Sequence, residues 1–407
     1  MNQQRICLIS PGHVGSNPRL VKEATSLHAA GYRVHVVAGD YIAAIRPLDA
    51  AILTQAGWTY TLVSWGSKLQ YGLRRSRQAL VRRLIQPQSM PMSIAMWAHS
   101  PISAALAQAA IAHPAQLYIA HNLAALPAAA IAARRYHARF GFDAEDFHVG
   151  ELLDTPQNQA DIALRDRIER TLLPQCHHLT AASLGIADAY ADRYGVKMQP
   201  ILNVFSRSEA PAHPKAMFDR EPSLYWFSQT IGDDRGIESM LIAMSKMSVP
   251  VQLHLRGIPA NGYLDHLNQL TRSLQIGDRV HVLPPALPME MVKLAAQHDV
   301  GLSLELTSPP NRAICLTNKT FTYLLAGLPV LMSKTPAQVE LSRRLNAAAV
   351  VIEVTQPDAI AAVLDRWLSD RDRFAAAKDH AWTLGQTQYN WDIEQHRFLS
   401  MVGQSLT

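Results

Sequence analysis

The sequence predicts an α/β protein built from two Rossmann-like, doubly wound parallel-sheet domains that face each other across a cleft. Three observations predict it. Short β-branched or apolar runs alternate with longer helical stretches, this pattern restarts midway, and a segment rich in proline and charge separates the two series. With 407 residues and 48% hydrophobic content, the chain is too long for one compact core and apolar enough for two.

The first series runs "RICLIS", a helix from about Arg19, "RVHVVAG", "WTYTLV", "QLYIA" and a helix beginning near Leu123. The second runs "SLYWFS", "VQLHLRG", "RVHVLP", "DVGLSLE", "LPVLMS" and "AAVVIEV", with helical segments between. From Ser206 to Ser223 there are three prolines, many charges and no sustained period, as an interdomain linker would have. The expected boundaries are 1–205 for the first domain and 206–385 for the second. Within the remaining segment, 386–407, "YNWDIEQHRFLSMV" has the apolar spacing of an amphipathic helix.

Bulk properties narrow the function. Cys7, Cys176 and Cys315 are scattered without C-x-x-C spacing, so neither a disulfide framework nor a zinc site is expected. A reducing, cytoplasmic setting fits. No stretch approaches the roughly 20 apolar residues that span a bilayer, and the amino-terminal apolar run is too short for a secretory signal. A net charge of +5 suits anionic small molecules or an anionic membrane surface and falls short of a nucleic-acid signature.

In doubly wound sheets ligands bind beyond the carboxyl ends of the strands, so the loops there hold the candidates. After the first strand, "SPGHVGSNPRL" offers Gly12 and Gly15, which let a backbone approach a ligand closely, but it does not match G-x-G-x-x-G. His121 stands at the end of "QLYIA", a position expected to face ligand, although a lone histidine is more often a structural hydrogen-bonder. "FDAEDFHVGELLD" gathers carboxylates around His148, and Glu151 and Asp154 are candidates to orient sugar hydroxyls or accept a proton; a solvated acidic loop is the plainer reading. In the second series Arg235–Gly236, Arg256–Gly257 and Asn318–Lys319 each place a cation where a helix is expected to open after a strand. Three such groups at one sheet edge suggest a diphosphate.

Taken with "AHNLAALPAA", "IGDDRG" and above all "NKTFTYLLAGLPVL", the chain resembles the GT-B glycosyltransferases, closest to the large, mostly retaining family that uses nucleotide-sugar donors. The resemblance covers nearly the whole length. Family members commonly read N-K-x-F-E-Y-x-x-A-G-x-P-V at the last motif. It implies that the terminal helix returns to the first domain and that the second domain holds the nucleotide diphosphate, with Arg235 matching the basic residue of a K-G or R-G pair and Lys319 the N-K lysine. His121 matches a histidine that contacts the transferred sugar; Gly12 and Gly15 match the glycine loop near the donor phosphates and acceptor. Three positions depart from the pattern. The family's earlier arginine falls at Thr230, and its E-x7-E glutamates fall at Ile314 and Thr322. Thr322 offers one uncharged hydrogen bond where relatives grip the ribose, and Glu305 or Asn311 are candidate substitutes for the lost sugar-facing acid.

The resemblance implies a hexosyltransferase with a UDP- or GDP-linked co-substrate, no other cofactor and no metal, acting on a hydroxyl of a glycan or lipid-linked acceptor. A nucleotide-sugar epimerase of the same fold and a non-catalytic nucleotide-sugar-binding relative remain alternatives. For the acceptor, "YGLRRSRQALVRRLIQP" interleaves Arg74, Arg75, Arg77, Arg82 and Arg83 with apolar residues. Such a helix can lie on an anionic membrane at the inner face, or be an ordinary surface helix with its apolar side on the core.

Overall fold

The computed structural model describes residues 3–65, 72, 76 and 90–407. The chain divides into two compact units. One comprises Met1–Ile201, Pro309–Asn311 and Gln395–Thr407, the other Leu202–Ser308 and Arg312–Glu394. Arg74, Arg75, Arg77, Arg82 and Arg83 lie outside the described residues.

Among the described residues the first unit holds β1 (Arg5–Ser10), β2 (Arg33–Asp40), β3 (Thr59–Ser64), β4 (Leu117–His121), β5 (Arg139–Ala144), β6 (His178–Ala181) and β7 (Gln199–Pro200). They pair in parallel in the order β3-β2-β1-β4-β5-β6-β7. Runs such as Ile6–Ile9 and Leu117–Ala120 are apolar at every position because helices cover both faces of a parallel sheet. The strand order reverses between β1 and β4, which defines a topological switch point at their carboxyl ends. β5, β6 and β7 are not legible in the sequence: β5 is interrupted by Gly141 and Asp143, β6 opens on a histidine, and β7 is two residues long.

The second unit holds β8 (Ser223–Ile231), β9 (Gln252–Pro259), β10 (Val280–Leu283), β11 (Val300–Ser303), β12 (Val330–Ser333) and β13 (Ala349–Ile352), all parallel, in the order β10-β9-β8-β11-β12-β13. Its switch point lies between β8 and β11. Trp226, Leu253, Leu302, Leu331, Trp367 and Phe374 fill the core. Residues 206–222 are tied into this unit rather than forming a free tether. Phe218 is buried with its ring 5.5 Å from Phe374, and the Lys215 ammonium donates to Asp299 at 2.7 Å.

The terminal helix Trp391–Leu406 starts in the second unit, and from Gln395 onward it belongs to the first. There Phe398 is fully buried, and Arg139 Nη1 donates to the Ser405 carbonyl at 2.9 Å. Among the described residues no helix is long and apolar enough to cross a membrane.

Candidate functional site

At the switch point of the first sheet lies a pocket of about 360 Å³. Gly12 follows β1, Tyr41 follows β2, Trp65 follows β3, Asn122 follows β4 and Glu145 follows β5, so five strand ends converge on it. The loop after β1 is stitched to the one after β2. His13 Nε2 accepts the Tyr41 and Ile42 N–H groups at 2.9 and 2.7 Å, which puts the ring proton on Nδ1, 2.6 Å from Asp49 Oδ2. The other Asp49 oxygen accepts the Gly15 N–H at 2.7 Å. A Cβ on Gly15 would fall 2.7 Å from Leu48, so this glycine serves packing, whereas Gly12 lines the pocket. The stitch presents Tyr41, whose ring lies 4.6 Å from that of Trp65.

Glu145 is the only charged side chain among the described residues lining the pocket. Its Oε1 accepts from Asn17 Nδ2 at 2.6 Å, while Asn17 Oδ1 caps the helix Pro18–Ala29 by accepting the Leu20 N–H at 3.0 Å. Both ends of the Asn17 amide are thereby used, and the carboxylate is fixed. Its carboxyl was not separable in the sequence from the neighbouring acids; its place directly after β5 sets it apart only once that strand is recognised.

Beneath the pocket floor, charges are packed away from water. Arg19 is fully buried and forks onto Asp143, Nε and Nη2 each donating at 2.6 Å, while Nη1 donates to the Ile201 carbonyl at 2.6 Å. His121, expected to be offered to ligand, is instead fully buried. Its Nε2 lies 3.2 Å from Glu23 Oε2, and its Nδ1 lies 3.3 Å from Asp143 Oδ2 and 3.4 Å from Glu145 Oε1. Burial alone would lower its pKa, but the charge of Glu23 and the approach of Asp143 and Glu145 raise it well above the ordinary value. Burial, then Asp143, raises the Glu23 carboxyl against the pull of His121 and Arg19. Although Glu23, His121 and Asp143 are close enough to suggest a metal site, the two carboxylates face opposite ring nitrogens, and both Asp143 oxygens accept from Arg19. The cluster therefore reads as a buried charge network that Glu145 borders at 3.4 Å from His121 Nδ1.

The other first-unit candidates lie apart. Glu151 is ion-paired with Arg165 and lies 3.6 Å from His148 Nδ1; burial would raise its carboxyl, but His148 and then Arg165 bring it down to about 2. Asp154 is exposed, and neither acid lines the pocket.

In the second unit the switch point carries the cationic loops. Arg235 is half-buried and has no partner among the described residues, and Gly236 (φ 71°) heads the helix Ile237–Lys246. A Cβ on Gly236 would meet Val354 at 2.6 Å and Leu304 at 3.2 Å, which sets this turn against the end of β11. Next to Leu304, the buried Glu305 accepts from the Lys319 ammonium at 2.8 Å. Lys319 is thus paired rather than a free cation, with two N–H bonds left over. Thr317, at the cap position before Asn318, makes no side-chain hydrogen bond to the helix Asn318–Leu325, so the first-turn N–H groups are uncapped. Arg312, which sequence reasoning passed over, donates to the Asp234 carbonyl at 2.8 Å and braces the loop of Arg235.

Arg256 does not open a helix: it lies inside β9, which extends to Pro259, and its guanidinium is spent on the Tyr225 hydroxyl and Pro284 carbonyl, each at 2.8 Å. The Thr322 hydroxyl, buried, donates back to the Asn318 carbonyl at 2.9 Å. Asn311 belongs to the first unit, where it donates to Asp146 at 2.6 Å and accepts the Phe147 N–H at 2.8 Å.

Two parallel, doubly wound sheets in succession, each with its own switch point, define the GT-B fold. Solved structures share it across the whole chain. A glycosyltransferase from Rickettsia africae superposes with a TM-score of 0.72 at 10% identity, covering 100% of both chains. HepE of Anabaena, solved with UDP and glucose, gives 0.71 at 14% identity over 98% of this chain and 100% of its own. Sucrose-phosphate synthase from Thermosynechococcus elongatus gives 0.72 at 15% identity over 99% of each. The sequence matches no family model and no curated protein.

Proposed function

We propose that the chain is a glycosyltransferase that moves a hexose-type sugar from a UDP- or GDP-linked donor to a hydroxyl of a glycan or lipid-linked acceptor. The observation that carries the reading is Arg235, a half-buried guanidinium without a partner among the described residues, on a left-handed glycine turn at the switch point of the second sheet. The unfilled valence suits a diphosphate, and the uncapped start of the helix at Asn318 supplies further donors. Because Lys319 and Glu305 carry no net charge together, the charge that grows on the departing diphosphate is met chiefly by Arg235, with Lys319 contributing hydrogen bonds. In a retaining reaction the acceptor hydroxyl attacks on the face the nucleotide leaves, and its proton passes to the departing phosphate oxygen. That route needs neither a protein nucleophile nor a metal.

The first-unit pocket suits the acceptor. Tyr41 and Trp65 offer apolar ring faces to a sugar, and Glu145 accepts from its hydroxyls. HepE, similar in fold, is described with UDP-glucose. Thermal-shift titration with UDP, GDP, dTDP, ADP and CMP, followed by turnover assays, tests the proposal: one nucleotide raises the melting point, and R235Q removes that rise and lowers kcat by about 10²–10³-fold. Unchanged nucleotide binding and turnover in R235Q would reject the site.

A further inference from the structure

A second pocket, of about 550 Å³, lies at the opposite edge of the first sheet, where β1, β2 and β3 begin. Arg5 opens β1, Arg33 opens β2, both line this pocket, and they are direct register partners across the parallel pair. Register partners project to the same face about 5 Å apart, the strand spacing, and like charges placed directly opposite are destabilising. No acidic residue is among the described residues lining the pocket, and neither guanidinium has a hydrogen-bond or ion-pair partner among them. Both side chains are exposed at the pocket, so two adjacent guanidiniums without an acidic partner are open to an incoming anion.

We infer that this pocket binds a phosphate group, held by the forked guanidiniums of Arg5 and Arg33. Guanidinium pairs match phosphate oxygens two at a time, which an ammonium or an imidazole does not do.

The remaining walls fit a phosphate. His28 stands against Gly57, where a Cβ would fall 2.4 Å from its Nε2, so the glycine leaves the ring room at the pocket wall. His35 and His113 stack at 3.4 Å, 17° from parallel. Burial, then His113, lowers the His35 pKa to about 4, and burial lowers that of His113. The stacked rings are therefore uncharged at neutral pH. Both nitrogens of His35 are engaged by Thr59 and Thr61, at 2.8 and 3.0 Å, so this ring is a wall rather than a ligand. The charge offered is that of the two arginines, which a phosphate dianion balances. The phosphate could belong to a lipid headgroup or to a small soluble ester, and the two sources are separable by experiment.

The test uses the whole chain. Inorganic phosphate is titrated calorimetrically into the wild type and R5Q/R33Q, with excess UDP present to occupy the donor site, and flotation with phosphatidylglycerol or phosphatidylcholine vesicles is run in parallel. At least a tenfold loss of phosphate affinity in the variant is expected, with no fall in melting temperature in phosphate-free buffer, because the substitution removes a repulsion. Should R5Q/R33Q fail to fold, single R33Q carries the same comparison. Arginine-dependent flotation with phosphatidylglycerol alone assigns a headgroup; arginine-dependent phosphate binding without flotation assigns a soluble phosphate. If neither phosphate binding nor flotation depends on the two arginines, the inference is overturned. Because R5Q/R33Q leaves Arg235 and Lys319 intact, its UDP response reports separately on the proposed transferase activity.

Discussion

Asn122 is held at φ 70° and ψ 151°, a combination that glycine adopts freely and other residues rarely do, and it lines the pocket beside Glu145. Strain of this kind costs on the order of 1–3 kcal/mol and persists where the surroundings impose it. Asn122→Gly is accordingly expected to raise the unfolding free energy by about 1–3 kcal/mol in urea denaturation, even as it removes an amide from the pocket. A drop in stability would show that the asparagine side chain, and not the backbone, governs this turn. Single residues were the least legible feature of the sequence. His121, Lys319, Arg256 and Thr322 could be located on elements, but which way each side chain turns depends on partners far along the chain. Glu23 is 98 positions from His121, and Tyr225 is 31 from Arg256. A cation at a helix start reads as free until the acid that neutralises it, here Glu305, is placed in space.

Elements were read more securely. Runs such as "RICLIS", "RVHVVAG" and "SLYWFS" became strands because buried parallel sheets need unbroken apolar segments. The reading failed where that signal fails, at β5 and β6, which carry Gly141, Asp143 and His178, and at the two-residue β7. One element-level constraint is sharp. The Gly39 N–H donates to the Gly12 carbonyl at 2.9 Å, and a Cβ at Gly39 would lie 2.2 Å from the Pro11 carbonyl oxygen, so β2 admits no side chain where it passes the glycine loop. Backbone cannot yield as a flexible side chain can. Gly39→Ala should cost about 1–3 kcal/mol and shift Gly12 at the pocket; its urea midpoint and its acceptor KM are both expected to change. A variant with wild-type midpoint would mean that the loop adapts at no cost.

For the whole molecule, the two-unit plan was legible from the restart of the strand pattern, and the family resemblance rests on "NKTFTYLLAGLPVL", whose helix packs in the second unit. The division of labour proposed here predicts separable defects. Glu145→Gln should raise the acceptor KM by roughly 10–100-fold, the worth of a hydrogen bond to a charged group, while leaving nucleotide affinity unchanged; Arg235→Gln should do the reverse. Steady-state kinetics with both substrates varied would check this, and equal damage to both terms in either variant would contradict it. The return of residues 395–407 to the first unit has a consequence for synthesis. As the polypeptide emerges from the ribosome, Phe398 and Ser405 follow Ile201 by about 10–40 s at ordinary translation speeds. Until then the part of the first unit that Phe398 covers, the His178 ring among it, stands open to water. Nascent chains stalled before that point should attract chaperones that chains carrying the tail escape.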